Sequence, residues 1–249
     1  MWFFFDMSLL KKIEIPDNKR TYEKTIPLFD SVLCDLWFQM TENTKKDLVI
    51  LLRMMWYVDH MYDKKNSVEK EKFKNLYFEK FRDKNIDVWE MNSTANQLYD
   101  ILSERWLIDD FLFYADKLFH WNSLACDTVN CDDFIKYKYY EWIMTAKLVE
   151  LFLEQDENKE DFTRELSKLL SNTVAISNIF DDFLDLKSDY KKWISKLRPT
   201  LSSETKLFLA VVYNTYNNVL KSWKINAKAL WKIFSCLKSY FMKTIKLKK

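Results

Sequence analysis

Glycine is absent from all 249 residues, and proline occurs only three times. Glycine supplies the left-handed backbone of tight hairpins and lets phosphate-cradling loops approach their ligand closely. A chain without it cannot carry a P-loop or a dinucleotide-binding fingerprint. Cysteine and histidine are sparse. Cys34, Cys126, Cys131 and Cys236, with His60 and His120, make no zinc-type spacing, and the expected compartment is the reducing cytoplasm. No apolar run approaches the roughly 18 residues that cross a bilayer. The apolar opening at residues 1–6 is too short for a signal-peptide core and lacks a basic flank. Net charge is only +2, so no bulk field draws the chain to nucleic acid, and no nucleic-acid partner is expected. The one basic concentration is the tail Lys243-Thr-Ile-Lys246-Leu-Lys248-Lys249. It reads as a frayed terminus, or as a weak peripheral contact with an anionic membrane surface.

What the chain does have is apolar bulk: 48% of residues are hydrophobic and 17% aromatic, enough for a large core in one domain. Apolar residues recur at helical spacing, and the expected fold class is all-α. Residues 1–20 read as an N-terminal arm and 21–249 as one helical domain, with no repeat or linker dividing it. The spacing predicts helices over 27–40, 45–64, 67–82, 87–103, 104–121, 134–155, 160–189, 204–223 and from 227 onward. Asp132 or Asp133 is the expected cap of the sixth, and Ser202 or Ser203 of the eighth.

Two acidic clusters stand far apart in this sequence. The first is Asp59-His60-Met61-Tyr62-Asp63; the second is Asp181-Asp182-Phe183-Leu184-Asp185, followed by Asp189. Each repeats aspartate at i and i+4, which on a helix stacks like charges one turn apart. A helix tolerates this best with a cation between the carboxylates, and carboxylate oxygens are what Mg²⁺ takes. In the second cluster Asp181, Asp185 and Asp189 share a stripe, with Asn178 one turn before. Apolar Ala175, Ile176, Ile179, Phe180, Phe183, Leu184 and Leu186 cover much of the remaining surface. In the first, Asp59 and Asp63 end an apolar helix, against its macrodipole, with Arg53 upstream. The competing reading is a solvated acidic face beside Lys187 and Lys191, and a charged helix end running into Lys64-Lys65. Asp109-Asp110 with Asp116, and Asp132-Asp133, show that acidic pairs also arise elsewhere in the chain.

At these residues the chain resembles the class I isoprenoid synthases, and most of all the squalene/phytoene synthase family. Leu51–Asp63 resembles the helix ending in the family's first Asp-rich motif. Residues 134–153, with Tyr140, Ala146 and Val149, resemble its Y-x-x-x-x-A-x-x-V helix. Asn178-Ile-Phe-Asp-Asp-Phe-Leu-Asp185 resembles N-I-L-R-D-x-x-E-D. Ala210–Tyr213, Val219-Leu220 and 224–232 resemble the closing helices. Departures are His60 for aspartate, Asp181 for arginine, Leu186 for the last aspartate, Lys147, Leu148 and Glu150 for small residues, and Lys224 for a diphosphate-binding arginine. The 1-5-9 spacing of Asp181, Asp185 and Asp189 is also similar to the second metal motif of terpene cyclases. Asp-Asp-Phe-Leu-Asp is similar to the second motif of chain-elongating prenyl diphosphate synthases, though the Gly and Gln that precede it there are absent.

The resemblance implies a single-domain helical bundle of the isoprenoid synthase type with a central active-site cavity, acting on a prenyl diphosphate. Asp59, Asp63, Asp181, Asp182, Asp185 and Asp189 would hold Mg²⁺, or Mn²⁺ in its place. Arg53, Asn178 and Lys224 would bind the diphosphate, and Tyr140 and Tyr213 would act in catalysis. Trp56, Tyr57, Tyr139, Tyr140, Trp142 and Tyr213 would line the pocket that receives the carbocation. Head-to-head prenyl transfer is the first expectation, with NADPH needed only if squalene is formed. Cyclisation of one prenyl diphosphate is the second. A catalytically inactive assembly or binding protein on the same scaffold is the third. Oligomeric state is left open.

Overall fold

Every regular element among the described residues is helical, and no strand occurs among them. The computed structural model describes residues 26, 27, 29–31, 33, 34, 36–63, 67–82 and 92–220. The arm over 1–20, Lys224, the helix predicted from 227 and the basic tail lie outside the described residues. After helical backbone within 26–34, the elements are α1 (Glu42–Asp63), α2 (Ser67–Arg82), α3 (Asn92–Glu104), α4 (Ile108–Asp127), α5 (Cys131–Leu153), α6 (Arg164–Lys191) and α7 (Leu201–Asn214). A 3₁₀ turn at Lys159–Asp161 precedes α6, and a π-helical segment, Thr215–Leu220, follows α7. No helix among the described residues is long and apolar enough to cross a membrane.

Side-chain caps set several boundaries away from those the spacing predicts. The cap of α5 is Asn130, not Asp132 or Asp133. Its Oδ1 accepts the Asp132 and Asp133 amides at 2.8 and 3.2 Å, which leaves both carboxylates in the first turn, where the helix dipole favours them. Thr163 caps α6, accepting the Leu166 amide at 3.3 Å, so that helix starts at Arg164 and not at 160. Thr200 caps α7 and Ser203 answers from the third helical position. The expectation placed the cap at Ser202 or Ser203 and the start at 204.

Helix C-termini show how the chain manages without glycine. Trp37, Trp106 and Trp193 all have left-handed backbones, with φ of 70°, 59° and 61°. Each closes a helix with the paired bonds of a Schellman motif. Phe38, Leu107 and Ile194 donate to the carbonyls of Leu33, Leu102 and Asp189, while the tryptophan amides reach Cys34, Ser103 and Tyr190. Phe38 and Leu107 drop into the core, and the indoles stay outside, with Trp106 92% exposed. These closures explain two misplaced boundaries. The first helix stops before Trp37 and does not reach 40, and α4 starts at Ile108 and not at 104.

Packing is organised around α5, which lies against α1, α4, α6 and α7. Its C-terminal half, from Ala146 to Leu153, belongs to a large cluster with Leu48, Leu51, Phe81, Leu98, Phe111 and Leu170. Its N-terminal end, at Phe134, belongs to a smaller cluster with Ala125, Ile179, Leu186, Leu197 and Leu207. The turn after α5 is tied to the start of α1 by Asp156, 1% exposed. That carboxylate accepts the Thr41 amide at 2.9 Å, the Thr41 hydroxyl at 3.0 Å and the Asn158 amide at 2.9 Å. Burial acts to raise its pKa, but bonds from Thr44, Asn158 and Thr41 prevail and hold it below the usual 3.8.

Two outcomes follow for stability. Trp106→Gly removes a left-handed penalty of about 1–2 kcal/mol but restores unfolded-chain freedom, so the urea midpoint should rise by the equivalent of roughly 0.5–1 kcal/mol. A fall would mean that the indole makes compensating contacts. For Asp156, the depressed folded value means that the unfolded chain binds this proton more readily. Its stabilisation is therefore present above the unfolded value and lost as pH falls through the folded one. Asp156→Asn should lower stability at neutral pH and flatten the acid limb of a stability–pH profile.

Candidate functional site

Midway along α5, where its two apolar clusters meet, three ionisable side chains stand together. Lys138 and Glu141 are one turn apart on α5, and Asp182 comes from α6. The Lys138 Nζ lies 3.2 Å from Glu141 Oε2 and 3.4 Å from Asp182 Oδ1, with side-chain exposures of 12%, 5% and 14% in that order. Asn122 of α4 donates to the other Glu141 oxygen at 3.0 Å, and the Cys126 thiol donates to Asn122 at 3.5 Å. Glu141 Oε2 meets only the Lys138 ammonium, and Asp182 Oδ2 is buried without a hydrogen bond. One ammonium thus serves two buried carboxylates. Burial opposes the charge on Lys138, but Asp182 and Glu141 outweigh it and hold its pKa well above the usual range. Asp182 is pushed well above the usual carboxylate range by burial, with Lys138 opposing and Glu141, Asp181 and Asp189 adding to the rise. Both shifts have one cause: two acids and one base share a buried site.

Glu141 also forms part of a cavity of ≈ 60 Å³. Met54, Met55, Val58 and Tyr62 of α1 and Tyr77 of α2 line one side. Phe111, Ala115, Leu118, Phe119 and Asn122 of α4 and Glu141, Trp142, Thr145 and Leu148 of α5 line the other. Its wall is apolar and aromatic except for Asn122, Glu141 and Thr145. The rings pack edge-on or tilted, Tyr62 on Phe119 at 5.0 Å and Tyr77 on Phe119 at 5.9 Å.

The predicted site residues divide unevenly around this centre. Asp59 and Asp63 lie in the last turn of α1, directly after the cavity-lining Val58 and Tyr62. Their side chains, with those of Asn178 and Trp56, are outside the described set. Asp181, Asp185 and Asp189 are half-buried along α6. Asp182 faces Lys138 on α5. Arg53 is half-buried on α1. Among the described residues no three Asp, Glu, His or Cys side chains are grouped to hold a metal ion. Lys187, expected beside the acidic stripe, reaches Glu204 of α7 at 2.9 Å. Tyr140 is 39% exposed and lies against Trp121, and Tyr213 is 68% exposed. Of the five expected pocket aromatics whose side chains are described, Trp142 alone lines the cavity. Tyr57 is core, and Tyr139 donates to Asn172 at 2.5 Å.

Sequence reasoning missed Lys138, Glu141, Tyr62, Tyr77, Phe111 and Phe119 as site residues. The signal for the first two was a Lys–Glu pair at i,i+3 within an otherwise apolar helix face. The rings carry no local mark that separates a cavity wall from core.

No protein-family model, no curated protein and no solved structure matches this chain.

Breaking the triad from one side should be costly. Lys138→Met leaves two buried carboxylates without their cation and should destabilise the fold by about 3–5 kcal/mol in chemical denaturation. Adding Asp182→Leu and Glu141→Gln together should recover much of that loss. Equal stability of the single variant and the wild type would show the pair to be energetically idle.

Proposed function

We propose that the chain is a class I isoprenoid synthase-type enzyme that ionises a short prenyl diphosphate with Mg²⁺. The observation that carries this reading is the aromatic cavity directly beside the turn of α1 that bears Asp59 and Asp63. The cavity also adjoins, through Glu141 and Lys138, the second acidic segment on α6. An apolar, ring-lined cavity suits a prenyl chain and excludes the water that would quench a carbocation.

The donor set fits a hard divalent cation by chemistry: carboxylate oxygens, three of them a turn apart on one half-buried face of α6. In this reading Asp181, Asp185 and Asp189 hold metal from one side and Asp59 and Asp63 from the other. Asp182, engaged by Lys138, orients α6. When bound, Mg²⁺ neutralises the diphosphate as it departs. Arg53, Asn178 and Lys224 are the diphosphate contacts of this reading. Tyr140 and Tyr213, the residues expected to act in catalysis, both lie on exposed faces.

Cavity size bears on the substrate. A cavity of about 150 Å³ is what admits benzene, so ≈ 60 Å³ leaves no room for two prenyl chains side by side. That favours reaction of a single chain, as in cyclisation or elimination, over head-to-head joining of two. A non-catalytic scaffold is the second reading, and one observation favours it. Lys138 already supplies a fixed cation where the second acidic segment meets α5.

Incubation with dimethylallyl, geranyl, farnesyl and geranylgeranyl diphosphates and Mg²⁺ tests the proposal through diphosphate release and product size. Release should occur, fall to background with chelator, and drop about 100-fold or more in Asp181→Ala and Asp185→Ala. No release from any of these substrates by folded protein would overturn the enzyme reading in favour of the scaffold.

A further inference from the structure

We infer that the outer face of α7, with the turn that precedes it, docks the chain onto an anionic membrane surface. Leu201, Phe208, Leu209, Val212, Tyr213 and Tyr216 recur at helical spacing and form one stripe. All six are exposed, from 47% at Phe208 to 84% at Leu201. The opposite side of α7, at Ser203 and Leu207, is buried. The helix has two charged side chains, and both are engaged at its flanks: Glu204 pairs with Lys187 at 2.9 Å and Lys206 with Asp132 at 2.7 Å. The stripe itself carries no charge. A contiguous apolar face left on the surface marks an interaction site. At 14 residues α7 is too short to cross a bilayer, and its amphipathic form suits the plane of the interface.

Charge around the stripe selects the partner. The end of α6 and the turn after it, residues 190–198, carry Lys191, Lys192, Lys196 and Arg198 and no acid, and all four bases are exposed. Lys196 reaches Asp127 at 2.8 Å. Trp193 stands among them, 89% exposed. An indole beside lysine and arginine is what the headgroup layer of an anionic bilayer accommodates. Beyond the stripe the sign is the same: no acid follows Glu204 in the sequence, while ten lysines do. The basic tail therefore continues from the end of this face. A second copy of the chain on the same stripe would bring two such lysine-rich segments together, which like charge opposes. Phosphatidylserine headgroups gain from each of those lysines instead. Trp106 is as exposed as Trp193, but its turn is flanked by Glu104, Asp109 and Asp110, the wrong sign for such lipids.

The test floats the full chain with vesicles, without diphosphate or metal, so its outcome is independent of the isoprenoid reading. Vesicles of phosphatidylcholine with about 30 mol% phosphatidylserine should bind the protein, and phosphatidylcholine alone should bind it at least about 10-fold more weakly. Leu209→Asn with Val212→Asn should weaken binding about 10-fold or more, and so should Lys191→Glu with Lys192→Glu. Trp193→Ala should weaken it at least about 3-fold, while Trp106→Ala leaves it unchanged. The Trp193 and lysine variants lie outside α7, so they decide the matter should the helix variant lose its circular dichroism. No binding to either vesicle, equal binding to both, or binding unchanged by the stripe and turn variants would each overturn the surface; the last would assign binding to the tail alone. A dimer in sedimentation velocity that Leu209→Asn with Val212→Asn dissolves would give the stripe to a second copy and overturn it as well.

Discussion

One ammonium between two buried carboxylates is the constraint around which this bundle is arranged. Lys138 and Glu141 lie on α5, the helix that touches four others, at the seam between its two apolar clusters. Asp182 brings α6 to the same point, and Asn122 brings α4. The arrangement fixes the register of three helices, because sliding any one by a turn would strand a charge in hydrocarbon. Buried ion pairs add little net stability over apolar packing, yet breaking one from a single side is costly. Such a group acts mainly by excluding alternative alignments.

Placing α6 in that way has a consequence for its acidic stripe. Asp182 lies about 100° around the helix from Asp181, so orienting Asp182 inward leaves Asp181, Asp185 and Asp189 at the half-buried margin. Glu141 links the charged seam to the aromatic cavity, whose opposite wall is the last turns of α1. α5 thus meets the cavity on one side and the second acidic segment, through Lys138, on another. Another buried carboxylate, Glu150, is satisfied in a similar way. It takes Ser171 and Ser167 at 2.9 Å each and pairs with Lys147, closing α5 onto the start of α6.

Much of the helical order was legible from apolar spacing, and α1, α2 and α5 fall within a few residues of their predicted limits. Two of the misplaced boundaries, the end of the first helix and the start of α4, share one cause. Without glycine, three helices close on left-handed tryptophans, and no propensity rule nominates tryptophan for that position. Caps shifted in the same way: Asn130 and Thr200 were preferred over nearby acids and serines because their side chains meet the free amides. In the second cluster, the aspartate repeat marked α6 correctly as an unusual helix, but periodicity treats Asp181 and Asp182 alike. What separates them is a lysine more than forty positions earlier.

The sequence by itself determined that this chain builds helices, because a glycine-free, leucine- and aromatic-rich pattern at 3.6-residue spacing has little else to form. It also determined where the acidic repeats sit along those helices. Tertiary structure alone decided which carboxylate meets Lys138, which rings surround a cavity, and which tyrosines, Tyr140 and Tyr213 among them, face solvent. The physical reason is that burial and ion pairing are properties of the contact between helices. Neighbours along the chain share a composition, but only neighbours in space set the charge and hydration of a side chain.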